Sequence, residues 1–127
     1  MKKTPRHFVI PLVIYPFDVV ISINQTDDQL WEVIKFTHDK FEDCEELWNM
    51  HPTTTGRSVM TQSNLTVIRL KPLGDKVEEA AVIAHEVFHA VTFIMELIGI
   101  ELKVMISDEA YAYLIGYITK EIYKKLW

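Results

Sequence analysis

Asp75-Lys76-Val77-Glu78-Glu79-Ala80-Ala81-Val82-Ile83-Ala84-His85-Glu86-Val87-Phe88-His89 runs on without a breaker to Ile98 and is stopped by Gly99. Asp75 followed by Glu78 has the form of a helix capping box, and Gly99 suits the left-handed residue just past a helix end. The stretch therefore predicts a helix over residues 76–98. Ala80, Ala81, Val82, Ile83, Ala84, Val87, Phe88, Val91, Phe93, Ile94, Met95 and Leu97 make it apolar on most sides, as expected of a helix buried in the middle of a small domain. Within it His85 and His89 lie one turn apart on one face, so both imidazoles can converge on a single ion. Glu86 is offset from them by about 100°. Two histidines and a carboxylate are costly to bury without partners, and a ligand would relieve that cost.

Upstream of this helix, Arg57–Met60 and Leu65–Leu70 are β-prone runs separated by Gln62-Ser63-Asn64, which has turn chemistry, so a hairpin is expected and Lys71-Pro72-Leu73-Gly74 stops it. His51-Pro52 through Gly56 reads as a loop. Before that, Thr26 and Gln29 form a capping pattern for a helix ending near Asn49, with Leu30, Val33, Ile34, Phe41, Leu47 and Trp48 as its apolar stripe. Residues 7–23 predict one or two strands, the cleaner being Asp18–Ile23, with Pro11 and Pro16 at edges or bends.

Downstream, Ser107 is expected to cap a third helix that carries Asp108 and Glu109 in its first turn and buries Tyr111, Leu114, Ile115, Ile118, Ile122 and Leu126. The order β, α, β-hairpin, α, α predicts one α+β domain over residues 1–127. Its small antiparallel or mixed sheet, of about three strands, would pack on three helices.

With 127 residues, 49% hydrophobic and 24% charged, the chain has the composition of one globular domain. A net charge of −5 excludes a binder of phosphate backbones, which needs clustered Lys and Arg. Lys120, Lys124 and Lys125 read instead as a solvated helix end. The single cysteine, Cys44, allows no internal disulfide and reads as a small half-buried hydrophobe. The apolar run from Phe8 to Phe17 is interrupted by Pro11 and Pro16 and lacks a small-residue cleavage site, so it does not read as a signal peptide. A cytoplasmic protein with no nucleic-acid or membrane partner is expected.

A helical histidine pair at this spacing suits zinc, which takes three protein ligands in catalytic sites and leaves a fourth position open. Glu109, in the first turn of the next helix, is the expected third ligand, with Asp108 as its rival. Ala112 and Gly116, on the helical face shared with Glu109 and Tyr113, would let that helix approach the motif helix closely. Glu86, beside the pair but off its line, suits a general base that takes a proton from water on the zinc.

His85-Glu86-Val87-Phe88-His89 followed by Glu109 resembles the gluzincin arrangement of zinc metallopeptidases, and the element order is similar to minimal domains of that type. The sequence-specific part of the likeness spans about residues 80–117. The segment Ser107-Asp108-Glu109-Ala110-Tyr111-Ala112-Tyr113 looks like that of small proteins encoded by phages and bacterial mobile elements. The resemblance implies His85, His89 and Glu109 as zinc ligands and Glu86 as base. It further implies that an edge strand, here Leu65, Thr66, Val67, Ile68, Arg69 and Leu70, pairs with an extended peptide substrate. Thermolysin-like enzymes carry an aspartate one turn after the glutamate ligand, where this chain has Tyr113, and a later catalytic histidine, whereas none follows His89 here. Oxyanion stabilisation would then fall to zinc with Tyr111, Tyr113 or Tyr117. The expected function is zinc-dependent peptide-bond hydrolysis on a peptide or protein substrate. The alternative is a catalytically weak zinc domain that binds a partner protein.

Overall fold

The structure, a computed structural model, describes residues 1–38 and 40–127. Strands β1 (Arg6–Pro11), β2 (Asp18–Ile23), β3 (Gly56–Met60) and β4 (Thr66–Leu70) form one sheet in the order β1-β2-β4-β3. β1 pairs antiparallel with β2, β2 parallel with β4, and β4 antiparallel with β3. Helix α1 (Asp27–Ile34) lies on the crossover between β2 and the hairpin, and α2 (Lys76–Leu97) and α3 (Asp108–Leu126) follow. The fold is thus the expected α+β domain, with four strands in place of about three because both halves of residues 7–23 become strands.

The two faces of the sheet carry separate cores. Val19, Ile21, Ile23, Ile68 and Leu70 meet Ile83, Val87, Ala90, Val91 and Ile94 of α2 and Leu114, Ile118 and Ile122 of α3. On the opposite face Val20, Val59 and Val67 meet Leu30, Ile34, Cys44, Leu47 and Trp48. Alternate residues of a strand point to opposite faces, so strands covered on both sides need apolar residues at nearly every position. Val19–Ile23 and Thr66–Leu70 are buried throughout, while the edge strands β1 and β3 are only partly buried.

The caps behave unequally. Thr26 and Gln29 close their box, with Thr26 N–H donating to Gln29 Oε1 at 2.9 Å and Gln29 N–H to Thr26 Oγ1 at 3.1 Å. Asp75 Oδ1 accepts from Val77 and Glu78 N–H, and Gly99 takes φ +80° just beyond α2. Ser107 forms no side-chain cap on α3. Its hydroxyl instead donates to Glu101 O and accepts from Lys103 N–H, bracing the α2–α3 loop.

Three expectations are corrected. The helix expected from Thr26 to near Asn49 is broken: α1 ends at Ile34, a 3₁₀ turn covers Lys35–Thr37, His38 is extended, and a second 3₁₀ stretch covers Phe41–Leu47. Residue 39, inside that span, lies outside the described residues. Thr37 Oγ1 donates to Ile34 O at 2.7 Å, which offers the backbone an alternative to continuing the helix. Second, α2 is not buried all round. Val77, Phe88 and Leu97 are exposed, because the sheet and α3 cover only part of its circumference. α2 is long and apolar enough to cross a membrane by length and composition alone, but its Ile83, Val87, Val91 and Ile94 face is core. Third, Ala112, Tyr113 and Gly116 are exposed and nothing lies within 4 Å of a Cβ on Gly116, so this face of α3 does not provide a close helix contact.

Arg69 ties the second core to the sheet. Though only 6% exposed, it donates to Asp27 Oδ1 at 2.7 Å, to Leu47 O at 2.6 Å and to Gln25 O at 2.6 Å. Beside this knot Cys44 is buried, and burial, followed by the Asp43 charge, pushes its thiol up. Arg69→Ala removes the cation from Asp27 Oδ1 and the donors to the Leu47 and Gln25 carbonyls, and is expected to cost on the order of 3 kcal/mol in urea unfolding, as for removal of one partner of a buried ion pair.

Glu79, buried on α2, accepts from the Met1 ammonium at 2.6 Å and from Leu73 N–H at 2.8 Å. Burial raises its pKa, but the ammonium and the Leu73 and Gly74 amides outweigh it and hold the carboxyl below its ordinary 4.5. A group depressed in the folded state stabilises above its unfolded pKa, and that contribution is lost as pH falls through the folded one. Unfolding free energy should therefore drop as pH is lowered below about 4.5, with a shallower slope in Glu79→Gln.

Candidate metal and peptide site

The site begins with a missing side chain. A Cβ on Gly56 would stand 2.8 Å from Val82 Cγ1 and 2.9 Å from Glu86 Cγ, so only glycine lets β3 lie this close to α2. Two residues on, Ser58 Oγ lies 2.8 Å from Glu86 O and 3.0 Å from Glu86 Oε2, which share its one hydroxyl proton. Glu86 is 6% exposed. Its carboxylate has no other hydrogen-bond partner among the described residues, and Oε1 lies 3.9 Å from His85 Nε2.

His85 and His89 face outward. Their Nε2 atoms are 3.1 Å apart and their ring centroids 4.8 Å apart, with the Phe93 ring stacked beside His89. Two nitrogens at about 2.0–2.1 Å in a tetrahedral zinc shell stand about 3.3 Å from each other, so the pair fits two corners of such a shell. The cost of burying unpaired imidazoles, raised above as an argument for a ligand, does not apply, because both rings reach solvent. Glu86 is buried, but with Ser58 as its partner.

Glu109 is exposed in the first turn of α3. Among the described residues, no group of three or more His, Cys, Asp or Glu side chains is gathered for a metal. The structure therefore brings His85 and His89 together, with Glu86 beside His85, but does not bring Glu109 or Asp108 to the pair. The tyrosines are engaged elsewhere: Tyr111 donates to Ile100 O, and Tyr117 to Pro11 O at 3.0 Å. Tyr113 borders a small cavity with Val13 and Ile14. Tyr111 and Tyr117 thus have their hydroxyl protons on backbone carbonyls, and Tyr113 is exposed.

The strand expected to take a peptide is also corrected. Leu65 precedes β4, and Thr66–Leu70 is an interior strand with β2 on one side and β3 on the other, so its backbone groups are already used. The edge beside the motif is β3. Thr61 N–H donates to Leu65 O and Lys71 N–H to Thr55 O. With the register running from Gly56↔Leu70 to Met60↔Thr66, antiparallel alternation turns the N–H and C=O of Gly56, Ser58 and Met60 away from the sheet. The sequence does carry a sign of this strand's position: a glycine opening a β-prone run marks close approach of a neighbouring element, here the Val82 and Glu86 side chains.

A cavity of about 410 Å³ between Thr53–Gly56 and Glu78, Ala81, Val82, His85 and Glu86 opens at one end of the pair. Another of about 470 Å³, bounded by Thr92, Glu96, Ile100, Leu102 and Tyr111, opens further along α2. Comparison of the chain with protein-family models, with curated proteins and with solved structures gave no match. The functional reading therefore rests on these residues and their geometry.

Gly56→Ala overpacks the β3–α2 contact and is expected to destabilise by about 1–3 kcal/mol, read from urea unfolding.

Proposed function

We propose that the protein is a zinc-dependent peptidase in which His85 and His89 hold the metal, Glu86 is the general base, and the outer edge of β3 receives an extended peptide. The observation that carries this reading is the convergence of the two Nε2 atoms at 3.1 Å beside a buried carboxylate held by an edge strand. Glu109 is the proposed third ligand, which requires its first-turn side chain to swing toward the pair when metal binds.

Zinc, when bound, supplies Lewis-acid polarisation of a carbonyl and acidifies water. The chain's own residues do the rest. The N–H and C=O groups of Gly56, Ser58 and Met60 can pair with a peptide backbone and add it as a fifth strand, which fixes its register against α2. The Glu86 carboxylate, buried and held by Ser58, has one oxygen turned toward His85 and is placed to accept a proton from water attacking the carbonyl carbon, then return it to the departing amine nitrogen.

Purified protein is expected to contain about one zinc per chain by elemental analysis, with His85→Ala and His89→Ala losing it. Glu86→Gln should keep the zinc and lower cleavage of a mixed peptide panel by roughly 10²–10⁴-fold. Stoichiometric zinc with peptide binding but no turnover would mark the alternative, a zinc domain that binds a partner protein. A metal-free protein whose melting temperature does not respond to added zinc would overturn both.

A further inference from the structure

We propose that Ser58 is a positioning residue that couples peptide docking on β3 to the orientation of the Glu86 carboxylate, an inference that rests on the peptidase reading. One residue faces both ways. Its N–H and C=O point out of the sheet edge, where a peptide would pair, while its hydroxyl reaches back to Glu86 Oε2 at 3.0 Å and Glu86 O at 2.8 Å.

Three features make the coupling physical. Glu86 is 6% exposed and Ser58 supplies the hydrogen bond its carboxylate receives among the described residues, so the carboxylate's direction follows that hydroxyl. The separation of 3.9 Å from His85 Nε2 is too long for a hydrogen bond to share the task. Finally, β3 is an edge strand, held by β4 on one side only. A docked peptide would hold it from both sides, reduce the freedom of residue 58 and with it that of the carboxylate. The base would thus be best aligned when substrate is present.

A merely structural serine would satisfy the Glu86 carbonyl and be indifferent to the carboxylate. The two roles separate in a double-mutant cycle on metal-free protein: wild type, Ser58→Ala, Glu86→Leu, which has no acceptor oxygen, and the double variant, melted by circular dichroism. Ser58→Ala should lower Tm by about 5 °C with Glu86 present and by less than half as much in the Glu86→Leu background. Equal losses in both backgrounds overturn the proposal. Should Ser58→Ala not fold, Ser58→Cys, a near-isosteric weak donor, is read in the same cycle.

On a peptide that wild type cleaves, Ser58→Ala should lower kcat about tenfold to a hundredfold with KM within about twofold. Ser58→Thr, which keeps the hydroxyl, should restore most of it. A change in KM alone, or no rescue by Ser58→Thr, overturns the coupling while leaving the peptidase reading intact. If wild type neither cleaves nor binds peptide, the peptidase reading and the docking half fall together, and the melting cycle alone decides whether Ser58 holds Glu86.

Discussion

The contact that everything else accommodates is the close approach of β3 to α2 at Gly56. A helix packed on a sheet normally keeps side chains of both elements between the two backbones. At Gly56 one of those side chains is absent, and Val82 and Glu86 occupy its place. That brings the Ser58 hydroxyl within reach of Glu86 and lets a carboxylate be buried with a partner. It also leaves His85 and His89, about 100° and about 60° around the helix from Glu86, on its open side. The buried acid and exposed imidazoles follow from one steric fact.

The second structural knot lies on the other face. Arg69 is the charged residue in a strand otherwise of apolar residues and one threonine, and its guanidinium gathers the start of α1 and the end of the 3₁₀ stretch at Leu47. Asp27 answers it and also accepts from Asn49 N–H at 3.0 Å. Irregular backbone is tolerated there because its carbonyls are bound by a fixed fork of donors. The aromatic trio of Trp31, Phe41 and Trp48, with Phe41 and Trp48 stacked at 4.5 Å, closes the same layer.

What the sequence made legible was local. The capping of α1 and α2, the β3–β4 hairpin around Asn64 and the histidine pair all depend on residues a few positions apart, and each stands where its spacing put it. What it hid was pairing at a distance. Leu65–Leu70 looks like a strand in either position, and only the parallel pairing of β4 with β2 makes it interior and passes the edge to β3. The relation of Glu109 to the pair depends in the same way on how α3 is set against α2, which no spacing specifies. The long helix expected after Thr26 failed for a related reason: its apolar stripe is buried as anticipated, but by two short stretches that fold back on Arg69.

The parallel pairing of β2 with β4 has a consequence for how the site comes into being. Parallel neighbours cannot be joined by a tight turn, so the hairpin that carries β3 docks only after the crossover through α1 has closed. The histidine pair needs nothing but helical backbone from residue 85 to 89, and exists in any state in which α2 is formed. The niche around Glu86 needs the completed sheet. In a partly folded chain the two imidazoles would therefore stand together before the buried acid was in place, and local opening of β3 would return the chain to that condition.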